Sequence, residues 1–259
     1  MIIEVIISNY KSILEQRFLL GRVNVFVGRN GSGKTNILEA IGIAAAAHDD
    51  KLDADNLLKR GIRATEPSLT FHSSAQSKEI EIEWYEKKSW KKAKLICDDN
   101  ASWKDISWYD PKYIDKINNL INFIGDGTIE GEYPFDDESK NTTINAAFRA
   151  SRNFRDYVIY NNNTDDLLPL LTDRNNPTIF ALDNIEALVE SELFKEELMQ
   201  TITQLAAKHN KQVFITTRSP SIVNGLNLED PEQKLFSVKM TDDGQTVVET
   251  LNDKTFIDI

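Results

Sequence analysis

Cysteine is nearly absent from this chain of 259 residues; Cys97 stands alone, so no internal disulfide can form. Histidine is almost as scarce. His48, His72 and His209 are scattered, without cysteines or carboxylates at ligand spacing, which argues against a zinc site. No apolar run approaches the roughly 20 residues needed to span a bilayer, and the apolar start, Met1 to Ile7, lacks the basic segment and cleavage site of a secretory signal. Positive charge is short as well. Against 41 acidic residues stand 30 basic ones, a net charge of −11, so a whole-surface attraction to nucleic-acid phosphates is excluded and only a local basic patch stays open. These absences lead us to expect a cytoplasmic protein of a reducing compartment with no membrane association.

A core is what the chain does have. With 41% hydrophobic residues it can fill one large domain. The apolar residues 2–7 and the run Val23 to Val27 read as strands, the second ending at Gly28. From Asn36 to Ile41, continuing into Ile43 and four alanines, the residues are helix formers. Glu79 to Tyr85 alternates with the period of a half-buried strand and Lys94 to Cys97 resembles its partner, which predicts an antiparallel hairpin turning near Lys87 to Lys92. From residue 98 to about 165 the pattern weakens, and the acidic Gly125 to Asp137 stretch reads as a loop or insertion. Order returns with an apolar strand from Thr178 to Asp183. A helix follows from Ser191 to His209, with Leu193, Phe194, Leu198, Ile202 and Leu205 on one side. Then come a buried strand from Gln212 to Thr217 and a terminal hairpin, Leu235 to Met240 and Thr246 to Leu251. Strands alternating with helices predict an α/β domain with a mostly parallel sheet, plus an antiparallel β lobe over about residues 66–97.

Chemistry concentrates where the second strand ends. Gly28, Gly33, Lys34 and Thr35 meet the spacing G-x-x-x-x-G-K-[ST], in which glycines let backbone N–H groups curl around phosphate oxygens. Lysine then reaches the β- and γ-phosphates, the threonine hydroxyl serves Mg²⁺, and the following helix adds its N-terminal dipole. The expected nucleotide-binding residues are therefore Arg29, Asn30, Gly31, Ser32, Gly33, Lys34, Thr35 and Asn36.

The segment from Asn30 to Ile41 resembles the loop and helix of RecF-like, SMC-like and OLD-like ABC-type ATPases, many of which serve in DNA repair or anti-phage defence. Ile7 to Ile13 is similar to their first strand and turn, and the likeness covers about residues 1–97 and 178–251. It implies ATP and Mg²⁺ as ligands, with Thr35 and Asp183 holding the metal. It also exposes two departures. The residue after Asp183, where the family's catalytic glutamate orients the attacking water, is Asn184, and an amide accepts no proton. The family's Thr-Thr-His-Ser-Pro motif reads Thr216-Thr217-Arg218-Ser219-Pro220, which puts a fixed cation where a histidine contacts the γ-phosphate. Asn184, Glu186 and Arg218 are thus the candidate catalytic residues. Asn184 to Leu188 is similar to the loop that contacts the partner subunit. For the signature loop two segments stand open, each of which also reads as a plain surface loop: Gly125 to Thr128 carries the better motif and Asn161 to Asp165 the better distance.

Trp84 to Lys94 interleaves tryptophans and a tyrosine with five lysines; Lys87, Lys88, Trp90, Lys91 and Lys92 form either a DNA or RNA contact or a solvated hairpin end. No HNH nuclease pattern is present, and the few residues beyond Leu251 lead us to expect cutting activity from a partner. Three functions compete at this level. The first is an ATP-binding switch with impaired hydrolysis that forms a homodimer or higher oligomer and recruits an effector, a nuclease or toxin, in a DNA-linked or defence complex. The second is a non-catalytic scaffold, and the third an active ATPase whose water is handled by Glu186.

Overall fold

The computed structural model describes residues 1–48, 57, 60, 62–63, 70–77, 79–86, 88–97, 103–109, 159–160, 171–172, 179–189 and 191–254. Two sheets enclose one helix. The first is antiparallel, ordered β2-β1-β4-β5-β6, and comprises β1 (Ile2–Tyr10), β2 (Ile13–Leu19), β4 (Glu79–Glu86), β5 (Ser89–Cys97) and β6 (Trp103–Tyr109). The second is ordered β11-β10-β3-β9-β8-β7, from β3 (Val23–Val27), β7 (Ile159–Tyr160), β8 (Ile179–Leu182), β9 (Gln212–Thr217), β10 (Gln233–Met240) and β11 (Thr246–Leu251). Its strands β10, β3, β9, β8 and β7 run parallel and only β11 is antiparallel, the mixed α/β architecture that the sequence predicts.

Helix α1 (Lys34–His48) lies between the sheets, touching β1, β4 and β5 on one side and β9 on the other. Its sequence explains the position. Ile37, Leu38, Ala40, Ile41 and Ile43 to Ala46 are all buried, so the helix is apolar around most of its circumference, as a helix enclosed on all sides must be. Helix α2 (Glu192–Lys208) covers the opposite face of the parallel sheet through Met199, Ile202 and Ala206. Strand alternation divides β3 between the two cores: Val23, Val25 and Val27 face α2, while Phe26 joins the α1 core. Phe26 stacks on Phe236 with centroids 4.8 Å apart and meets Phe18 of β2 edge-on at 5.7 Å, which binds the two sheets together. Each such ring contributes about 2–3 kcal/mol of burial. The buried Gln212 side chain adds a polar clamp, donating to the carbonyls of Ile2 (2.8 Å) and Gly21 (2.7 Å) and accepting from Ile2 N–H at 2.9 Å.

Four sequence expectations change. Ile13–Leu19 is a strand that the pattern did not reveal. With β1 and β6 it makes the antiparallel sheet larger than the 66–97 lobe. The β4–β5 turn is tight, with Glu86 opposite Ser89 and Lys88 in the left-handed region at φ 65°, so Lys91 and Lys92 belong to the strand. Alternation then sends Lys91 inward, into a buried ion pair with Glu86, while Lys92 bridges Glu81 and Glu83 at 2.9 and 3.0 Å. The candidate nucleic-acid strip is therefore largely matched by carboxylates; Trp90 rests against Tyr85 at 5.5 Å, and Lys87 lies outside the described residues. Leu193 and Phe194 are exposed, at 68% and 57%, because the buried stripe of α2 begins at Met199. No helix among the described residues is long and apolar enough to cross a membrane.

Glu39 anchors α1. Its fully buried carboxylate accepts from the Lys11 ammonium at 2.8 Å, from Arg63 Nε at 2.7 Å and from the Arg63 N–H at 3.0 Å, with the Tyr10 hydroxyl at 3.4 Å. Burial pushes its pKa up, but the charges and hydrogen bonds of Lys11 and Arg63 outweigh burial and hold it below the usual range. A depressed folded value means stabilisation that is present above the unfolded carboxylate pKa and lost as pH falls through the folded one. Glu39→Gln is accordingly expected to cost about 3 kcal/mol at neutral pH, with the deficit shrinking in acid. Urea unfolding of both proteins from about pH 7 to about pH 3 checks this; a deficit independent of pH would assign the loss to packing.

Candidate functional site

β3 delivers the chain to the loop at Gly28, and the loop delivers it to the first turn of α1. At Gly28 there is no space for a side chain, since a Cβ would run into the Val238 carbonyl of neighbouring β10. Gly33 has φ +97°, where L side chains are strained, and a Cβ there would strike the Thr246 hydroxyl. The loop between them is concave and ends in helix N–H groups that have no intrahelical acceptor, which suits an anion. Arg29, Asn30 and Gly31 are exposed on its rim, while Ser32 and Lys34 are buried. The Lys34 ammonium donates to the carbonyls of Gly28 (2.7 Å) and Arg29 (2.8 Å). Burial lowers its pKa, opposed by the carboxylates of Glu186 and Asp183.

Asp183 follows β8 and is buried. It accepts from the Thr35 hydroxyl at 3.0 and 3.2 Å and, through a short contact, from the Thr216 hydroxyl of β9. Burial raises its pKa; the Thr216 and Thr35 hydroxyls pull it back in part. A threonine hydroxyl beside a carboxylate is a hard oxygen set, so these two residues fit Mg²⁺ and would hold it next to the phosphates. Asn184 is left-handed (φ 52°, ψ 51°) with an exposed side chain, and its N–H donates to Thr216 Oγ1 at 2.8 Å. Glu186 is tied down: Thr217 Oγ1 donates to Oε2 at 2.8 Å, and the Arg218 N–H and Nε approach Oε1 at 3.2 and 3.4 Å. Asn36 turns away from the loop, donating to Ser12 Oγ at 2.7 Å and accepting from Arg63 Nη2 at 3.1 Å.

Thus Lys34, Thr35 and Asp183 come together, and Asn30, Asn184, Glu186 and Arg218 line one adjoining open cleft of about 690 Å³ with Ala187, Glu192, Lys195, Ser219 and Pro220. Both signature-loop candidates, Gly125 to Thr128 and Asn161 to Asp165, lie outside the described residues. Sequence reasoning missed Thr216 as the residue that steers Asp183, and missed Lys11, Glu39 and Arg63 as the charged support of the loop's helix. The threonine was visible as the next-to-last residue of a buried strand; nothing local marks the charged trio, whose members are distant in sequence.

A central parallel strand, a phosphate-type loop, a buried helix and an aspartate at the end of a nearby strand define a P-loop nucleoside-triphosphate-binding fold. The family model described as AAA domain (AAA_23) matches residues 4–247, so the chain belongs to that family. The DNA replication and repair protein RecF of Ruminiclostridium cellulolyticum is 38% identical over 86 residues, which is 31% of this chain and 23% of that protein. The RecF of Shouchella clausii is 36% identical over 78 residues, 30% of this chain and 20% of its own length. The matches to these curated relatives thus span about a fifth to a quarter of their length. Among solved structures, the SMC head domain from Thermotoga maritima superposes with a TM-score of 0.51 at 14% identity, covering 96% of this chain and 98% of that one. An SMC head bound to the C-terminal winged-helix domain of ScpA gives 0.52 at 14% identity over the same shares.

The raised pKa of Asp183 has a sign. The folded state favours the protonated carboxyl, so this group favours folding at low pH and that contribution is lost as pH rises through the folded value; ionised, it is a cost. Asp183→Asn is therefore expected to stabilise the nucleotide-free protein on the order of 1 kcal/mol at neutral pH, the gain vanishing below about pH 4. Thermal unfolding across pH checks this, and a destabilised variant at neutral pH would refute it.

Proposed function

We propose that this chain is a cytoplasmic ATP-binding switch with slow hydrolysis that acts in a DNA-linked complex, of repair or anti-phage defence, by ATP-dependent self-association and effector recruitment. The observation that carries the reading is the junction of Lys34, Thr35 and Asp183. The ammonium rests on the Gly28 and Arg29 carbonyls of the loop, and hydroxyl and carboxylate lie close enough to share one Mg²⁺. That ion would supply charge neutralisation between the β- and γ-phosphates.

Slow turnover is supported by what surrounds Asp183. The exposed Asn184 side chain carries no proton acceptor of use, and Glu186 has both carboxylate oxygens engaged, one by Thr217 and the other by Arg218. An active ATPase built on Glu186 would first have to free that carboxylate. The RecF relatives support a DNA-linked role. Within the hairpin the exposed Lys88 and the half-buried Trp90 remain as DNA or RNA contacts, since Lys91 and Lys92 are held in ion pairs. Association as a homodimer or higher oligomer, and a nuclease or toxin as effector, complete the proposal.

Equilibrium binding of ATP with Mg²⁺, phosphate release and mass in solution test it together. We expect binding, turnover on the order of 0.01 per second or slower, a larger mass with ATP than without, and binding weakened at least about tenfold by Lys34→Ala. Protein that retains no ATP defeats the reading; turnover unaffected by the loss of Lys34 defeats the site.

A further inference from the structure

Glu186 is an anion placed among groups that would also serve a terminal phosphate. It shares the 690 Å³ cleft with Asn30 of the phosphate loop, Asn184 and Arg218. Its side chain is only 10% exposed, whereas that of Arg218 is 58% exposed. Three donors reach it, and only one of them is free to leave: the Thr217 hydroxyl and the Arg218 backbone N–H are fixed by β9 and its turn, while the Arg218 guanidinium makes a single long contact through Nε at 3.4 Å. The two terminal nitrogens of that guanidinium make no hydrogen bond among the described residues. Lys34 feels the same carboxylate, which is the strongest influence opposing the effect of burial on its ammonium. A phosphate accepts two parallel N–H bonds from a guanidinium, which the pairing through Nε alone does not provide.

We propose that Glu186 is a resident competitor for the terminal phosphate of a nucleoside triphosphate: it holds Arg218 when no third phosphate is present, surrenders the guanidinium when one arrives, and so sets the preference between tri- and diphosphate. The inference rests on the reading of the loop as an ATP site. Glu186 is then a specificity-determining residue and neither a base nor a metal ligand. Its two fixed donors keep the carboxylate satisfied after the guanidinium moves, so the exchange leaves no buried charge without a partner. A diphosphate, lacking the third group, makes no claim on Arg218 and is indifferent to the pair.

Calorimetric affinities for ATP and ADP, each with Mg²⁺, on the wild type, Glu186→Gln, Arg218→Ala and the double variant decide the matter. Removing the competing charge in Glu186→Gln is expected to tighten ATP by about tenfold while ADP stays within about twofold. Arg218→Ala is expected to weaken ATP by about tenfold at unchanged ADP affinity, and the gain from Glu186→Gln should shrink in its background. An ATP-to-ADP ratio that is unchanged or lowered in Glu186→Gln overturns the inference. Should that variant fail to fold, Glu186→Ala takes its place with the same outcomes, and an unchanged ratio in Arg218→Ala also overturns the inference. Wild-type protein that binds neither nucleotide defeats the ATP-site reading itself, whereas wild type that binds ATP with ratios indifferent to both substitutions defeats only the competitor.

Discussion

Asp183 accepts hydrogen bonds from Thr35 at the start of α1 and from Thr216 near the end of β9, and this shared carboxylate connects parts of the chain that are 148 and 33 residues away. The contact is possible because β3, β9 and β8 are neighbours and parallel, so their carboxyl ends open at one edge of the sheet. The phosphate loop leaves β3, Asp183 follows β8 and Arg218 follows β9. A change in strand order would scatter all three. Burying an ionised carboxylate opposes folding, and the two hydroxyls offset this only in part. The arrangement is tension at the candidate site, tolerated because the cores on both faces of the sheet supply the stability.

Those cores are fastened by polar side chains as well as by apolar packing. Gln212 bonds Ile2 and Gly21, Asn24 bonds Gly21 through both ends of its amide, and Glu39 collects Lys11, Arg63 and Tyr10 around α1. Each sits where two elements meet, and each is satisfied. The consequence is positional: apolar contacts tolerate sliding, whereas directional bonds hold the β1–β2 turn and α1 in one register. Ser12 extends this to the loop itself, bonding both Asn36 and Thr246, while Thr246 also donates to the Ser32 carbonyl at 3.0 Å.

The sequence is legible where the physics is local. Val23 to Val27, the glycine spacing and the helix formers after Thr35 specify strand, loop and helix without reference to the rest of the chain, and the structure has them in that order. Tertiary demands override local pattern elsewhere. Ile13–Leu19 has Glu15, Gln16 and Arg17 in its middle and carries no apolar run to mark it, yet pairing with β1 makes it a strand. Leu193 and Phe194 look like the start of an apolar stripe, but both are exposed and the stripe that packs into the core begins at Leu198. The lysine-rich hairpin looks basic in one dimension; cross-strand glutamates, invisible without the register, pair with it. Thr216 and Glu39 matter through partners far along the chain, and no local pattern announces that.

Asn184 and Arg218 are departures with a structural logic of their own. The chain turns sharply after Asp183 with the next residue at φ 52°, a conformation that asparagine tolerates better than residues with longer side chains. Its N–H closes the turn onto the same Thr216 hydroxyl that serves Asp183, so the backbone at this position orients the carboxylate whatever the side chain does. Backbone geometry and proton chemistry are thereby separable here: an amide leaves the support of Asp183 intact while removing the capacity to take a proton from water. Arginine two residues after Thr216 follows the same division. Glu186 anchors its backbone N–H, which fixes the turn, and the side chain is left to electrostatics. In the reading proposed above, the grip on a triphosphate is thus retained in the backbone and in Lys34, Thr35 and Asp183. What is lost is the proton acceptor, and what is gained is a cation that cannot be titrated away.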